Sequence, residues 1–256
     1  MVSLTNVKVT HSAEPNGTVA VAFKLSPSDA AYATSFVYDQ LVNSIPTIPL
    51  NEVCELFVDV EHDTWYEDAV QYAYDKHILV GDGRVFSPYN DVTRAMVAVI
   101  LYRLSGSPEV TDYTKYNQFT DLPAEHLWYS DAVAWALNEG VSTGDDVNML
   151  YNPNSSVTRE QLALFLWRYA QYVGEDVTVT ATEEELFGTT YVSDWAKEGF
   201  AWAIENGLIQ GAESTDADGN TYYELNPQGS AARAQMAVIL TRFGETFGLL
   251  MFYKSE

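Results

Sequence analysis

The chain has a single cysteine, Cys54, so no disulfide can form within its 256 residues. That suits the cytosol, and equally export from a bacterium without a disulfide-forming compartment. Basic residues are scarce: 13 Lys and Arg stand against 36 Asp and Glu, a net charge of −23. Such a chain repels nucleic-acid backbones and anionic membrane surfaces, so no nucleic-acid partner is expected. No apolar run approaches the ~18 residues of a spanning helix, so no membrane insertion is expected. Met1-Val2-Ser3-Leu4 has neither a basic start nor an apolar core. No signal peptide is expected, and the chain reads as cytoplasmic or as a piece of a longer exported protein. His11, His62, His77 and His126 are scattered, with no His-x-x-x-His spacing, and no nucleophile elbow, phosphate loop or dinucleotide fingerprint occurs. Glu183-Glu184-Glu185 reads as a solvated linker or helix start, and Cys54 as an inert, half-buried thiol. No enzyme activity, no cofactor and no metal are expected.

What the chain does have is repetition. Val92-Thr93-Arg94-Ala95-Met96 returns as Val157-Thr158-Arg159-Glu160-Gln161 and as Ala231-Ala232-Arg233-Ala234-Gln235. Each arginine is followed nine residues later by another: Arg103, Arg168 and Arg242. Each is also followed by four apolar residues at i, i+3, i+4 and i+7: Val97/Ile100/Leu101/Leu104, Leu162/Phe165/Leu166/Tyr169 and Met236/Ile239/Leu240/Phe243. That period predicts three amphipathic helices with an arginine in the first turn. Upstream lie Trp65, Trp128 and Trp195, a helix-forming run, and then Gly81, Gly144 and Gly211, each sixteen residues beyond its tryptophan. Each unit therefore reads as helix, loop, helix, too small to bury its own apolar face alone.

Outside the repeats, residues 3–10 and 18–26 alternate apolar and polar around an Asn-Gly turn, which predicts a β-hairpin. A helix is expected over about 28–44, ended by Pro46 and Pro49. The third unit carries an insertion, Ser214–Tyr223, whose Asp-Gly-Asn centre reads as a hairpin turn rather than a calcium loop. The expected divisions are residues 1–50 (hairpin and helix), three units at 51–110, 111–174 and 183–247, and a tail at 248–256.

The Phe-x-Asp start ahead of Trp65 and Trp128 (Phe57-Val58-Asp59, Phe119-Thr120-Asp121), the glycine, the proline loop (Phe86-Ser87-Pro88, Tyr151-Asn152-Pro153, Leu225-Asn226-Pro227) and the Thr-Arg-Ala helix start at Thr93-Arg94-Ala95 together resemble the S-layer homology family. The resemblance covers residues 55 to 247. It implies a mainly α fold: three helix-loop-helix modules in a pseudo-threefold, three-pronged bundle. It also implies a non-catalytic anchor on the outside of a bacterial cell, binding an anionic, pyruvylated cell-wall polysaccharide in grooves between modules. S-layer or other surface proteins are further partners under this reading. Ligand contact would then fall to Arg94, Arg159 and Arg233, to Gly81, Gly144 and Gly211, and to Asp59 and Asp121. Two rivals stand: a surface interaction module that has lost its glycan, and the anchor region of a larger exported enzyme. The third unit departs most from the family pattern, with Ala232 for threonine and Thr189 for aspartate. Unequal grooves are therefore expected, strongest where Arg94 and Arg159 contribute.

Simple chemistry bears on the same residues. An arginine at the first helical position opposes the helix dipole unless an anion binds there, on free N–H groups and a guanidinium fork. Pairing with an acid of a neighbouring unit is the alternative for Arg94 and Arg159, and the preferred role for Arg233. Arg103, Arg168 and Arg242, half a turn around their helices, are expected to face elsewhere in surface or intermodule salt bridges. Trp65, Trp128 and Trp195 are expected in the core, and the three glycines as left-handed helix C-caps. Asp59 and Asp121 are expected to cap a helix or bond loop backbone.

Overall fold

In the computed structural model, residues 10–13, 19–22, 52–215, 219 and 221–248 are described. Two units divide at residue 50. In the first, β1 (Thr10–Ala13) pairs antiparallel with β2 (Val19–Ala22), Thr10 opposite Ala22. A hairpin is present as predicted, but β1 meets the expected first strand (3–10) only at Thr10, while β2 falls within the expected second strand (18–26). Residues 3–9 and 23–26 lie outside the described residues. The helix expected over 28–44 lies outside the described residues.

The second unit is helical. A short α1 (Val53–Leu56) precedes α2 (Glu67–Asp75), whose first turn carries Glu67 and Asp68, favourable near the positive end of a helix dipole. Next come α3 (Arg94–Leu104), α4 (Ser130–Asn138) and α5 (Arg159–Val173). Then follow α6 (Glu183–Phe187), α7 (Lys197–Glu205) and α8 (Arg233–Phe247). Glu183-Glu184-Glu185 is thus a helix start, held by a capping box between Thr182 and Glu185. The insertion is an antiparallel hairpin, β3 (Ala212–Thr215) against β4 (Thr221–Glu224), with Gly219 at φ 86°.

The long helices begin where the repeat places them. Thr93 Oγ1 accepts from Met96 N–H and Thr158 Oγ1 from Gln161 N–H, satisfying the third amide of each helix. Ala232 has no such acceptor; there the Gln235 side chain accepts from Ala232 N–H instead. Of the twelve predicted apolar positions, all but Leu104 are buried. Fully burying a side chain such as Leu166 contributes about 1.5–3 kcal/mol.

The packing partners cross the repeats. α3 of the first repeat packs on α4 of the second, α5 of the second on α7 of the third, and α8 of the third returns to α2 of the first. Each prong is thus built from two repeats, and the first and last long elements close the bundle. Three backbone hydrogen bonds complete the circle. Val92 N–H donates to Ala231 O at 2.9 Å, Ala231 N–H to Val157 O at 2.8 Å, and Val157 N–H to Val92 O at 2.9 Å. All three residues are buried.

Two expectations fail here. Trp65, Trp128 and Trp195 are 62%, 63% and 54% exposed, so they are not core. Trp65 and Trp128 sit two residues ahead of their helices, outside the periodic run; the next residue, Tyr66 or Tyr129, turns inward and is buried. Nor are Gly81, Gly144 and Gly211 helix caps. The left-handed residues after the first helices are His77 (φ 54°), Gly140 (φ 73°) and Gly207 (φ 70°), four positions earlier. At His77 and Gly207 the caps are of Schellman form: Ile78 N–H reaches Ala73 O, and Leu208 N–H reaches Ala203 O.

Candidate ligand grooves between repeats

The three first-turn arginines do one job. Arg94 donates from Nε to Tyr151 O (2.9 Å) and from Nη2 to Thr143 O (2.6 Å). Arg159 does the same to Leu225 O (2.8 Å) and Gln210 O (2.9 Å). Arg233 does so to Phe86 O (2.7 Å) and Val80 O (3.0 Å). Each guanidinium therefore clasps the proline loop of the next repeat, and the third clasps the first. Among the described residues no arginine forms an ion pair; the pairs involve His62, His126 and Lys197. The expected acid partners are replaced by carbonyl oxygens. Arg233, the copy expected to diverge, is equivalent to its counterparts.

The helix N-termini are occupied as well. Arg94 and Ala95 N–H donate to Ser155 O and Pro153 O, Arg159 and Glu160 to Gly229 O and Pro227 O, and Arg233 and Ala234 to Asn90 O and Pro88 O. The amides expected to await an anion are thus taken by the neighbouring loop. Two of five guanidinium N–H donors are used in each clasp, and the other three make no described hydrogen bond.

The loops are pre-shaped for the clasp. Asp59 accepts from Phe86 N–H (2.8 Å) and Ser87 N–H (2.7 Å). Asp121 accepts from Tyr151 N–H (2.8 Å) and Asn152 N–H (2.6 Å). Both oxygens of each carboxylate thus hold the turn, in which Ser87 and Asn152 are left-handed at φ 60° and 59°. The repeat glycines act through closeness. A Cβ on Gly81 would overlap the Phe57 ring, and one on Gly144 the Phe119 ring; at Gly211 it would lie 2.8 Å from Tyr223 Cβ.

Two grooves open beside these clasps. One, of about 700 Å³, is lined by Arg94, Thr143, Gly144, Gln161, Arg168 and Trp195 among others. The other, of about 430 Å³, is lined by Arg159, Gln210, Gly211, Gln235, Arg242 and Trp65 among others. Each joins residues of all three repeats: the first arginine of one, the loop and second arginine of the next, and the exposed tryptophan of the third. Asp145 lines the first groove and Glu224 the second.

The second arginines were not foreseen in this place. Arg168 donates to Thr143 Oγ1 at 3.3 Å, and Arg242 to Leu208 O and Gln210 Oε1 at 3.3 and 3.1 Å. Burial, and then the charge of Arg94, push the Arg168 guanidinium below its usual pKa; burial, and then Arg242, do the same to Arg159. Two guanidinium groups thus repel each other across each groove, and an anion between them relieves that repulsion. Their even nine-residue spacing was the available signal. It was misread because half a turn on one helix leads away from the first arginine of that helix, but toward the first arginine of the preceding repeat.

The third interface, where Arg233 meets the first repeat, differs. Val80 replaces Thr143 or Gln210, Asp91 replaces Ser156 or Ser230, and Met96 replaces Gln161 or Gln235. Among the described residues, no helix is long and apolar enough to cross a membrane.

The S-layer homology domain family matches residues 56–96 and 118–163. Exoglucanase XynX of Acetivibrio thermocellus is 31% identical over 192 residues, 72% of this chain and 16% of that protein. Amylopullulanase of Thermoanaerobacterium thermosulfurigenes is 28% identical over 194 residues, 74% of this chain and 9% of that protein. The surface-layer 125 kDa protein of Lysinibacillus sphaericus is 30% identical over 177 residues, 69% and 14% of the two chains. The chain thus spans less than a fifth of the length of these relatives. By residues 56–96 and 118–163, the first two repeats of this chain belong to the S-layer homology domain family.

Proposed function

We propose that the chain is a non-catalytic anchor that holds a bacterial surface protein to the cell wall. It does so by binding an anionic, pyruvylated secondary polysaccharide in the two grooves, with residues 183–247 serving as the third module. The observation that carries this reading is the paired guanidinium groups beside an exposed tryptophan. Arg94 and Arg168 with Trp195, and Arg159 and Arg242 with Trp65, give an anion seat and a stacking face in a chain otherwise acidic. A guanidinium suits a ketal carboxylate, and an indole suits the apolar face of a sugar ring. The Arg233 interface, with Asp91 and Met96, is the weak one.

The clasping arginines are poor probes of binding, because losing them also loosens the bundle. Arg168→Gln and Trp195→Ala, combined with Arg242→Gln and Trp65→Ala, test the seat directly. Wild type should sediment with purified walls carrying the polysaccharide and not with stripped walls. The combined variant should stay folded and bind at least about tenfold more weakly, the loss of one charge-assisted contact. Equal retention on stripped walls sinks the anchor reading. Equal retention of the variant sinks the site.

A further inference from the structure

Four side chains of the first repeat that line neither groove converge at its surface: Glu52, Cys54, His62 and Glu67. Cys54 Sγ lies 3.2 Å from His62 Nδ1 and 3.7 Å from Glu52 Oε2. His62 Nδ1 lies 3.3 Å from Glu67 Oε1. The ligand atoms of Glu52, Cys54 and His62 all fall within 4.8 Å of one another. The histidine spacing gave no hint of this, because the cysteine and histidine are brought together by the turn between α1 and α2.

Three of the separations are those of a coordination shell. With zinc bonds of about 2.3 Å to sulfur, 2.0–2.1 Å to nitrogen and 2.0–2.2 Å to oxygen, a tetrahedron has edges of about 3.6 Å from sulfur and about 3.4 Å between nitrogen and oxygen. The three measured separations lie within about 0.4 Å of those edges.

Without a cation the cluster is poorly matched. A thiol is a weak donor, yet two carboxylates and an imidazole nitrogen crowd around it. A metal ion resolves that mismatch by binding the thiolate.

We propose that Cys54 Sγ, His62 Nδ1 and the carboxylates of Glu67 and Glu52 form a zinc site. Sulfur and imidazole nitrogen select a borderline metal over magnesium or calcium. The outer contacts favour it: Asp63 N–H donates to Glu67 Oε2 at 2.7 Å and fixes that carboxylate, with Asp63 itself left-handed at φ 58°. On binding, the Cys54 S–H bond breaks, its electron pair goes to the metal and its proton to solvent. The ion would lock α1, the turn at 61–64 and the first residue of α2 into one piece.

The test uses the full chain in excess Mg²⁺, which fills sites made of carboxylates alone. Zinc should bind with one saturable equivalent. Cobalt in its place should give a thiolate-to-metal charge-transfer band that Cys54→Ser abolishes. Cys54→Ser and His62→Ala should each weaken zinc binding at least about tenfold, and Glu67→Gln and Glu52→Gln less. Zinc should also protect Cys54 of the wild-type chain from alkylation, a measurement that needs no variant. Absence of the cobalt band, unchanged affinity in Cys54→Ser or His62→Ala, or alkylation unaffected by zinc would each overturn the site. Unchanged affinity in both glutamine variants would overturn the four-ligand assignment.

Discussion

Replacing Arg159 by methionine keeps an unbranched stem of similar length and removes both arms of one clasp. Arg159 is 8% exposed, and its two acceptors, Leu225 O and Gln210 O, belong to the next repeat. A hydrogen bond to a charged group nets about 1.5–3 kcal/mol, so two arms give roughly 3–6. Relief of the buried charge offsets part of this, since a partly desolvated cation is itself costly. The expected loss is about 2–4 kcal/mol. For a domain of this size one kcal/mol moves Tm by about 2–4 °C, which predicts a fall of about 5–15 °C. Arg159→Lys should lose roughly half as much, because one ammonium cannot span both carbonyls. Thermal unfolding followed by circular dichroism reads the shift. Hydrogen exchange at the Arg159 and Glu160 amides, bonded to Gly229 O and Pro227 O, reads the loosened interface. A methionine variant within about 2 °C of wild type, or a lysine variant indistinguishable from it, would refute the clasp as a source of stability.

Gly144→Ala should cost about 1–3 kcal/mol by driving a methyl into the buried Phe119 ring. Gly140→Ala, with open space but φ 73°, should cost only about 1–2 kcal/mol, from the left-handed backbone. If chemical denaturation ranks Gly140→Ala well above Gly144→Ala, proximity is not what the repeat glycine serves. The Glu205 carboxylate accepts from Thr180 Oγ1–H, Ala181 N–H and Thr180 N–H, which lower its pKa. A depressed folded pKa means that the tether is fully present above the unfolded carboxyl value of about 4.3 and is lost as pH falls through the lower folded value. Amide exchange at Thr180 and Ala181 should therefore be protected at pH 6 and released in acid beyond the intrinsic pH effect. An NMR titration placing Glu205 at an ordinary glutamate pKa would contradict this.

The long arginine helices were legible because capping and periodicity are local: Thr93, Thr158 and the i, i+3, i+4, i+7 residues carry their meaning within one turn. The β3–β4 hairpin was legible from Asp218-Gly219-Asn220 for the same reason. Trp65 and Trp128 were misplaced because they precede their helices, where period no longer fixes direction. Gly144 looks the same on paper whether it serves a backbone angle or a neighbouring ring. Arg168 and Cys54 depend on partners that only folding supplies, one across a repeat boundary and one across a turn.

The triangle of Val92, Val157 and Ala231 uses only main-chain groups, so it is indifferent to which small apolar residue stands at each corner. It is not indifferent to number. Two copies would leave one donor and one acceptor without a mate in a dry interior, and a fourth would have no corner to occupy. A triangle also has no first corner. With α8 already lying on α2, joining residues 52 and 248 by a short linker and reopening the chain at 106–115 should return the same assembly, while deleting any one repeat should return none.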